Sequence, residues 1–262
     1  MTLLGLIIVY SLIGGVLSTT LASLLLLRED LMRRASIYLL SFAAGTILAT
    51  AFFELLPEAL ESLKIYGKDP ADVFLYTFLG LITFFILEGV LFHLHHHHIS
   101  TFEDQPDDEH ASASRATSLL IIGDMLHNFL DGIAIAATFI VDPSLGIITA
   151  LAIATHEIPQ EIGDFSIMIH AGWSRSKALF WNIVPSLLTV LGAIITYFAK
   201  DLVEPIIGQL LAFTAGFFIY LASTDLVPEL YHSTRQEKIT KTFPPFFIGI
   251  LIIILLTRFI AE

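Results

Sequence analysis

Two short stretches of this otherwise apolar chain carry the side chains that could bind a cation. Successive residues of a helix turn by about 100°, so each stretch would gather its polar side chains into one stripe. Residues 124–132 would align Asp124, His127, Asn128 and Asp131, and residues 156–164 would align His156, Glu157, Gln160, Glu161 and Asp164. Imidazole, carboxylate and amide oxygen are ligands that suit Zn²⁺ and also Fe²⁺ or Mn²⁺. Because the chain has no cysteine, thiolate sites, disulfides and cysteine nucleophiles are excluded, and Cu⁺ is disfavoured.

The elements that must position these stripes are apolar helices. Of 262 residues, 55% are hydrophobic and only 15% are charged, against about 25% charged in an ordinary soluble domain. With a mean hydropathy of +0.80, these values exclude a soluble or disordered chain. Eight apolar blocks approach the ~20 residues that cross ~30 Å of hydrocarbon, namely Thr2–Leu27, Ile37–Leu56, Val73–Phe92, Thr117–Ile140, Leu145–His170, Ala178–Ala199, Ile206–Leu226 and Phe246–Phe259. We therefore expect one all-α, integral membrane domain over residues 1–262.

Acidic residues within or near these blocks need a partner. They are Glu54, Glu88, Asp124, Asp131, Glu157, Glu161, Asp164 and Asp225. An ionised acid that faces lipid at mid-bilayer costs about 2.5–3.5 kcal/mol, and no lysine or arginine lies deep in a predicted span. The missing positive charge is best supplied by a transported cation. The alternative, a protonated carboxyl that bonds a neighbouring helix, suits Glu88 or Asp124 but not the whole set.

The distribution of basic residues predicts the orientation. Nine of the 13 lysines and arginines fall in the loops that follow spans one, three, five and seven. The positive-inside rule assigns those loops to the cytoplasm and both termini to the other side. The loop after span three, residues 93–116, holds a histidine-rich segment with His93, His95, His96, His97, His98 and His110. We interpret it as a flexible, metal-collecting cytoplasmic loop, although a solvated linker or a sensor of cytosolic metal remains open. A net charge of −12 argues against nucleic acid and anionic lipid as partners.

A repeated pattern relates spans two and seven. Ala44-Gly45 is followed by Glu54-Leu-Leu-Pro-Glu, and Ala215-Gly216 is followed at the same offset by Asp225-Leu-Val-Pro-Glu. The two spans are predicted to run in opposite directions, which is typical of the inverted-topology repeats of transporters. The pattern predicts a 3+2+3 arrangement of eight transmembrane helices, with the two polar stripes on the central pair. A chance likeness of two apolar helices that end in Pro-Glu is the alternative.

The polar stripes resemble the paired signature of the ZIP (Zrt/Irt-like) metal transporters. The signature lies in His127-Asn128-x-x-Asp131-Gly132 and in His156-Glu157-x-Pro159-Gln160-Glu161-x-Gly163-Asp164. The resemblance extends over the whole chain and implies a binuclear site between transmembrane helices 4 and 5. In that site His127, Asp131, His156 and Gln160 would form one metal position. Asn128 and Glu157 would form the other, with Asp131 or Gln160 as a bridge.

Residues outside this pair of metal positions have looser assignments. Glu161 would also bind metal, and the pathway would include Asp124, Asp164, Asn182, Glu54 and Asp225. Asn182 could equally well bond a neighbouring helix. The sequence departs from the family at Gln160, where the nearest branch usually carries histidine. A neutral amide binds Zn²⁺ less strongly than imidazole does.

The implied function is inward transport of divalent metal, Zn²⁺ foremost and Fe²⁺, Mn²⁺ or Cd²⁺ as alternatives, across the plasma (inner) membrane. The metal is the substrate, and no catalytic cofactor is expected. A homodimer is left open. An exporter, a cation channel and a non-transporting metal sensor could use the same ligands. An intramembrane zinc protease is the enzyme alternative, because His156-Glu157 resembles the start of H-E-x-x-H, but Gln160 stands at its second ligand position. We therefore expect no enzyme.

Overall fold

Helices form every regular element in the part of the chain that this computed structural model describes, residues 1–26, 29–99, 109–228 and 239–260. The helices are α1 (Leu3–Leu12), α2 (Ser18–Leu26), α3 (Glu29–Thr50), α4 (Leu56–Ile65), α5 (Asp72–Ile99), α6 (Glu109–Val141), α7 (Pro143–His170), α8 (Arg175–Phe198), α9 (Lys200–Val203), α10 (Ile207–Leu221) and α11 (Ile239–Ile260). A π-helical turn, Ile13–Leu17, joins α1 to α2, and another, Ala51–Leu55, joins α3 to α4. A 3₁₀ turn, Glu204–Ile206, precedes α10, and a third π-helical turn, Ala222–Leu226, follows it.

Local chemistry sets the ends of the central helices. Asp142 caps α7 by accepting hydrogen bonds from two backbone N–H groups of the first turn, and Pro143 occupies the first helical position. Ser174 caps α8 in the same way, with one such bond. Gly172 (φ 82°) follows α7, and Gly67 (φ 67°) follows α4. Both take a left-handed backbone conformation that other residues adopt at a cost.

Five helical segments are long and apolar enough to cross a membrane. They are Leu3–Leu24, Ile37–Ile65, Leu120–Val141, Arg175–Phe198 and Lys200–Thr224. Two shorter apolar helices, Asp72–Leu87 and Phe243–Phe259, coincide with predicted spans three and eight. Helix α7 has 28 residues, which is long enough to cross, but the acids and histidine of its polar stripe lower its hydropathy. An all-helical integral membrane fold is therefore confirmed, while the count of eight spans stays a prediction.

Burial separates an inner core from an apolar outer surface. The main core contains Ile7, Ile47, Leu55, Ile135, Phe139, Leu211 and Phe218, all nearly inaccessible. A second apolar cluster lies where α2, α7 and α8 meet and contains Ala22, Leu26, Ile162, Phe165, Met168 and Ala178. Many large apolar side chains face outward instead, among them Phe74 (77% exposed) and Phe180 (59% exposed). An apolar exterior of this kind suits a helix bundle with lipid as its solvent.

The histidine-rich segment is more helical than the sequence suggested. Helix α5 continues through His93 and His95–His98 to Ile99, and α6 begins at Glu109, one residue before His110. Neither glycine nor proline occurs between Gly89 and Pro106 to end the first of these helices. The two ends of the predicted loop at residues 93–116 are therefore helical in backbone. Residues 100–108 and the side chains of these histidines lie outside the described part, so the metal-collecting role stays a prediction.

Helices α3 and α11 cross at a pair of glycines. A Cβ atom added to Gly45 on α3 would overlap the carbonyl oxygen of Phe246 on α11. A Cβ atom added to Gly249 on α11 would in turn press on the carbonyl oxygen of Phe42 on α3. Small residues permit such a close approach of backbones, which is how helices associate in membranes.

Helices α5 and α10 cross in the same reciprocal manner. A Cβ atom on Gly216 of α10 would overlap the carbonyl oxygen of Thr77, and one on Gly80 of α5 would overlap that of Phe213. In each of the two crossings, the glycine and the contacted carbonyl of one helix are three residues apart. The two crossings thus share one geometry, although their helices lie far apart in the sequence.

The two repeated segments also share a backbone irregularity. The π-helical turn Ala51–Leu55 begins six residues after Gly45, and the turn Ala222–Leu226 begins six residues after Gly216. Glu54 lies in the first turn, is buried and accepts a hydrogen bond from Thr257 of α11. Asp225 occupies the matching position in the second turn, and its side chain lies outside the described part.

Candidate metal centre

Four buried side chains from α6 and α7 converge on one point. They are His127, Asp131, His156 and Glu157, and one ligand atom from each lies within 4.8 Å of all the others. Residues four apart on a helix share a face, which brings the first pair together on α6. On α7, the consecutive residues His156 and Glu157 face that first pair across the interface between the two helices. Helical periodicity and one interhelical contact are thus sufficient to assemble the cluster.

The spacing of these atoms matches a tetrahedral metal site. The two Nε2 atoms of His127 and His156 are 3.0 Å apart. From His127 Nε2, Asp131 Oδ2 and Glu157 Oε1 each lie at 3.5 Å, and from His156 Nε2 they lie at 3.3 and 3.6 Å. Zinc–ligand bonds of about 2.1 Å place tetrahedral ligands about 3.4 Å from one another. Five measured edges therefore approximate a tetrahedron around one ion.

Among the described residues, the carboxylates of this cluster have only the two imidazoles beside them as basic partners. Both carboxylate oxygens of Asp131 and both of Glu157 have no hydrogen-bond partner among the described residues. Both side chains are inaccessible to solvent. Burying a carboxylate without compensation is unfavourable by several kcal/mol or more. A divalent cation at the centre of the four ligands would remove that penalty.

The two imidazoles are held in place from outside the cluster. His156 Nδ1 lies 3.4 Å from the carbonyl oxygen of Ala152. Because a carbonyl only accepts, this contact favours the tautomer that leaves Nε2 free to bind metal. On α10, the ring of Phe217 meets that of His127 edge-on at 5.1 Å, and Phe218 approaches His156 at 6.2 Å. Sequence analysis missed these two phenylalanines, although they directly follow the Ala215-Gly216 repeat.

Two of the predicted ligands bond Asp124 instead of facing the cluster. Asn128 Nδ2 donates to Asp124 Oδ1 at 3.0 Å, and Gln160 Nε2 donates to the same oxygen at 3.2 Å. The carbonyl oxygen of the Asn128 amide accepts from Thr189 Oγ1 of α8 at 2.8 Å. Asn128 and Gln160 of the signature therefore lie outside the cluster of four, in a hydrogen-bonded group with Asp124 and Thr189.

Close packing of α6 on α8 supports this second group. A Cβ atom on Gly132 would overlap the carbonyl oxygen of Thr189, and one on Gly192 would overlap that of Phe129. The glycine of the His-Asn-x-x-Asp-Gly motif thus has a packing role. It lets α8 approach closely enough for Thr189 to reach Asn128.

The predicted metal ligand Glu161 and the described pathway residues Asn182, Asp164 and Glu54 are not members of the cluster of four. Glu161 is fully buried and accepts from Thr19 Oγ1 of α2 at 2.9 Å. Asn182 Nδ2 donates to the backbone carbonyl of Glu161 at 2.9 Å, so Asn182 makes the bond to a neighbouring helix that the sequence left open. Asp164 is also buried. Glu54 lies in the π-helical turn Ala51–Leu55, bonded to Thr257 as described above.

Comparison with known proteins identifies the family. The sequence profile of the family described as "ZIP Zinc transporter" matches residues 1–118 and 95–257 of this chain. Zinc transporter ZIP13 of Pongo abelii is 31% identical over 233 residues, which cover 85% of this chain and 67% of that protein. Zinc transporter YKE4 of Saccharomyces cerevisiae is 28% identical over 240 residues, which cover 82% of this chain and 67% of that protein.

Other relatives are much longer than this chain. Zinc transporter zipt-7.2 of Caenorhabditis elegans is 37% identical over 142 residues, which cover 53% of this chain but only 31% of that protein. The match to zinc transporter ZIP6 of Homo sapiens covers 17% of that protein. The chain thus spans less than a third of these relatives. The profile match nevertheless extends over nearly all of it, and the chain belongs to the ZIP zinc transporter family.

Proposed function

We propose that the chain moves divalent transition-metal cations, Zn²⁺ foremost, across a membrane into the cytoplasm through the centre between α6 and α7. The observation that carries the proposal is the set of four carboxylate oxygens of Asp131 and Glu157, buried without hydrogen-bond partners among the described residues. Two imidazole nitrogens face them. Together, the two carboxylates and two imidazoles can bind a cation inside the helix bundle.

The ligand types favour transition metals over Mg²⁺ and Ca²⁺. Two imidazoles with two carboxylates suit Zn²⁺, Fe²⁺ and Mn²⁺, and the tetrahedral spacing of the four atoms favours Zn²⁺. The relatives that match the chain are zinc transporters by name. We therefore expect zinc to bind best at the centre, with Cd²⁺, Fe²⁺ and Mn²⁺ as weaker substrates.

A second metal position beside the first would need a change of partners. Glu157 is already adjacent, but the other expected ligands, Asn128 and Gln160, donate to Asp124. An ion that displaced these hydrogen bonds would gain two amide oxygens and the Asp124 carboxylate. The binuclear site is accordingly proposed as a state that the protein reaches by rotating two side chains, with one ion at the cluster of four as the basal state.

The 3+2+3 arrangement is supported by two repeated features. The turns Ala51–Leu55 and Ala222–Leu226 stand at the same offset from Gly45 and Gly216. These glycines also mark the two reciprocal crossings, α3 with α11 and α5 with α10. An inverted repeat accounts for both, because it relates spans two and three to spans seven and eight. Inverted repeats commonly underlie alternating access in transporters.

The orientation can be tested with single cysteines, since the chain has none of its own. We propose that both termini lie outside the cytoplasm and that the protein resides in the plasma (inner) membrane. Ala71→Cys should then react with a membrane-impermeant maleimide added to intact cells, while Ser176→Cys should react only after permeabilisation. Both residues are exposed, in or next to the connections that hold Gly67 and Gly172, and neither has the positive φ that strains a side chain at those glycines. The opposite labelling pattern would invert the topology.

Metal flux into proteoliposomes tests the function itself. Wild-type protein should accumulate Zn²⁺, with Cd²⁺, Fe²⁺ and Mn²⁺ compared in parallel at two pH values. The sign of the change in cellular zinc upon expression separates uptake from the exporter alternative. Flux that is unchanged in His156→Ala would refute transport through this centre. The control is Glu58→Gln, which neutralises a carboxylate on α4 that accepts a hydrogen bond from Ser62 and lies outside the cluster.

The protease alternative has little support in the geometry. In an H-E-x-x-H motif, the residue four positions after the first histidine must bind the metal. Here that residue is Gln160, and its amide donates to Asp124. The absence of an imidazole one turn after His156 therefore distinguishes this centre from that of an H-E-x-x-H zinc protease.

A further inference from the structure

A separate group of buried oxygens lies where α2, α7 and α8 meet, one helical turn along α7 from Glu157. Thr19 Oγ1 of α2 donates to Glu161 Oε1 of α7 at 2.9 Å. Asn182 Nδ2 of α8 donates to the backbone carbonyl oxygen of Glu161 at 2.9 Å. Thr19, Glu161 and Asn182 are all buried. We call these three residues, together with Ser23 one turn further along α2, the α2–α7–α8 junction.

Internal contacts are too few to satisfy the carboxylate of this junction. Glu161 is 0% exposed, and its Oε2 has no hydrogen-bond partner among the described residues. Its Oε1 depends on Thr19, whose hydroxyl also lies 3.1 Å from the carbonyl oxygen of Gly15. A hydroxyl carries one proton and cannot serve both acceptors fully. None of the described lysine or arginine side chains forms an ion pair with Glu161.

Two further oxygens in the junction lack hydrogen-bond partners. The amide nitrogen of Asn182 is committed to the Glu161 carbonyl, while Asn182 Oδ1 is buried and unpartnered within the described part. Ser23 Oγ, one turn after Thr19 on α2, is also buried and unpartnered there. Three helices thus contribute one carboxylate oxygen, one amide oxygen and one hydroxyl oxygen, none of which has a hydrogen-bond partner among the described residues.

The surroundings of the junction are largely apolar. The apolar cluster of α2, α7 and α8 adjoins the junction, with Ala22 and Ile162 next in sequence to its members and Ala178 one turn before Asn182. Leu26, Phe165 and Met168 extend this cluster away from the metal centre. For a buried side chain with apolar neighbours, an ionised carboxylate with one shared hydrogen bond is strongly unfavourable unless a cation balances it.

We propose that the α2–α7–α8 junction is a second cation site, distinct from the cluster of His127, Asp131, His156 and Glu157. Its ligands are Glu161, Asn182 and the hydroxyls of Thr19 and Ser23, all of them oxygens. Carboxylate, amide and hydroxyl oxygens suit hard cations such as Mn²⁺, whereas the imidazole-containing cluster suits Zn²⁺. The two sites therefore differ in the ions they prefer, and the junction retains the harder ion.

Equilibrium binding on purified protein tests this proposal without any measurement of transport. The protein is loaded with one equivalent of Zn²⁺, which occupies the imidazole-containing cluster, and is then titrated with Mn²⁺. Free Mn²⁺ is followed by its electron paramagnetic resonance signal. The wild type should bind one Mn²⁺ per chain in addition to its zinc. Glu161→Gln should keep the zinc and weaken Mn²⁺ binding more than about 10-fold.

Matched variants separate a lost ligand from a lost fold. Asn182→Ala and Thr19→Val should each weaken Mn²⁺ binding by a smaller factor, and Glu58→Gln should bind both ions as the wild type does. Retention of one zinc per chain reports that each variant is folded. Failure of zinc-loaded wild type to bind Mn²⁺ would overturn the proposal, as would wild-type Mn²⁺ binding by folded Glu161→Gln. Neither result would affect zinc transport through the other centre.

Discussion

The signature residues on α6 and α7 form two neighbouring groups with opposite hydrogen-bonding states. In the cluster of four, the oxygens of Asp131 and Glu157 have no hydrogen-bond partner among the described residues. In the adjoining group, Asp124 accepts two hydrogen bonds from Asn128 and Gln160. The first group presents its carboxylates to two imidazoles, which leaves them able to bind a cation, whereas the second group satisfies its carboxylate with two amide donors. Residue type alone does not separate a metal ligand from a residue that positions it.

Removing an imidazole should have the largest effect. We expect His127→Ala and His156→Ala to reach the membrane and to lose zinc flux, because each change deletes a ligand of the cluster and, of the packing, one ring contact with Phe217 or Phe218. Zinc affinity should fall more than about 100-fold, beyond the range typical of residues outside the ligand set. Isothermal titration on purified protein and flux at equal surface expression would measure both. Wild-type flux in either variant would contradict the ligand assignment.

A pair of acid-to-amide changes would sharpen the comparison. Asp131→Asn should abolish high-affinity zinc binding, since it removes the charge from a carboxylate that has no other partner among the described residues. Asp124→Asn should cost only about 10-fold in affinity, as expected for a residue that orients its neighbours. The measurement is zinc affinity of the two variants side by side. Equal losses in both would mean that Asp124 is itself a ligand, as in the binuclear state.

Sequence reasoning reached the cluster because helix geometry is local. A spacing of four residues places side chains on one face of a helix, so the amino-acid sequence was enough to pair His127 with Asp131. On α7 the same rule paired His156 with Gln160 and left Glu157 to the other metal position, whereas the structure places Glu157 in the cluster and Gln160 beside Asp124. The partner of Gln160 depends on how α7 is rotated against α6, which spacing does not determine. Phe217 and Phe218 come from a distant helix and carried no signal beyond their place after a repeated glycine.

The histidine-rich segment shows the opposite limitation. Its composition predicted a loop, since runs of polar and ionisable residues are typical of one. The backbone nevertheless remains helical to Ile99, because nothing before Pro106 terminates a helix that a long apolar stretch has already established. The composition of this segment predicted a solvent-exposed loop, whereas the backbone up to Ile99 continues the helix that precedes it.

An intermediate effect is expected at residue 160. Gln160→His should supply a stronger nitrogen donor one turn after His156 and on the same face. We expect a lower half-saturation for zinc, an equal or lower maximal flux, and poorer relative transport of Mn²⁺ or Fe²⁺. Flux kinetics and bound-metal assays on purified protein would measure these changes. Unchanged zinc affinity would show that residue 160 stays with Asp124 and is not a ligand.

The smallest effect is expected outside the spans. Replacing His95–His98 with serine should leave maximal zinc flux within about 2-fold, because these residues form the polar end of α5, beyond its apolar stretch Asp72–Leu87, and such ends tolerate substitution better than the core does. Apparent affinity or regulation by cytosolic zinc should change instead. Flux measured at several internal zinc concentrations would reveal this. Complete loss of transport in a well-expressed variant would make the histidine run part of the pathway.

X-ray absorption spectroscopy of protein loaded with one equivalent of zinc tests the central claim most directly. The account predicts four nitrogen or oxygen ligands at about 2.0–2.1 Å, two of them imidazoles. His156→Ala should retain one imidazole in the spectrum if it still binds zinc. A six-coordinate, oxygen-only environment in the wild type, or two imidazoles that persist in His156→Ala, would contradict a centre built from His127, Asp131, His156 and Glu157.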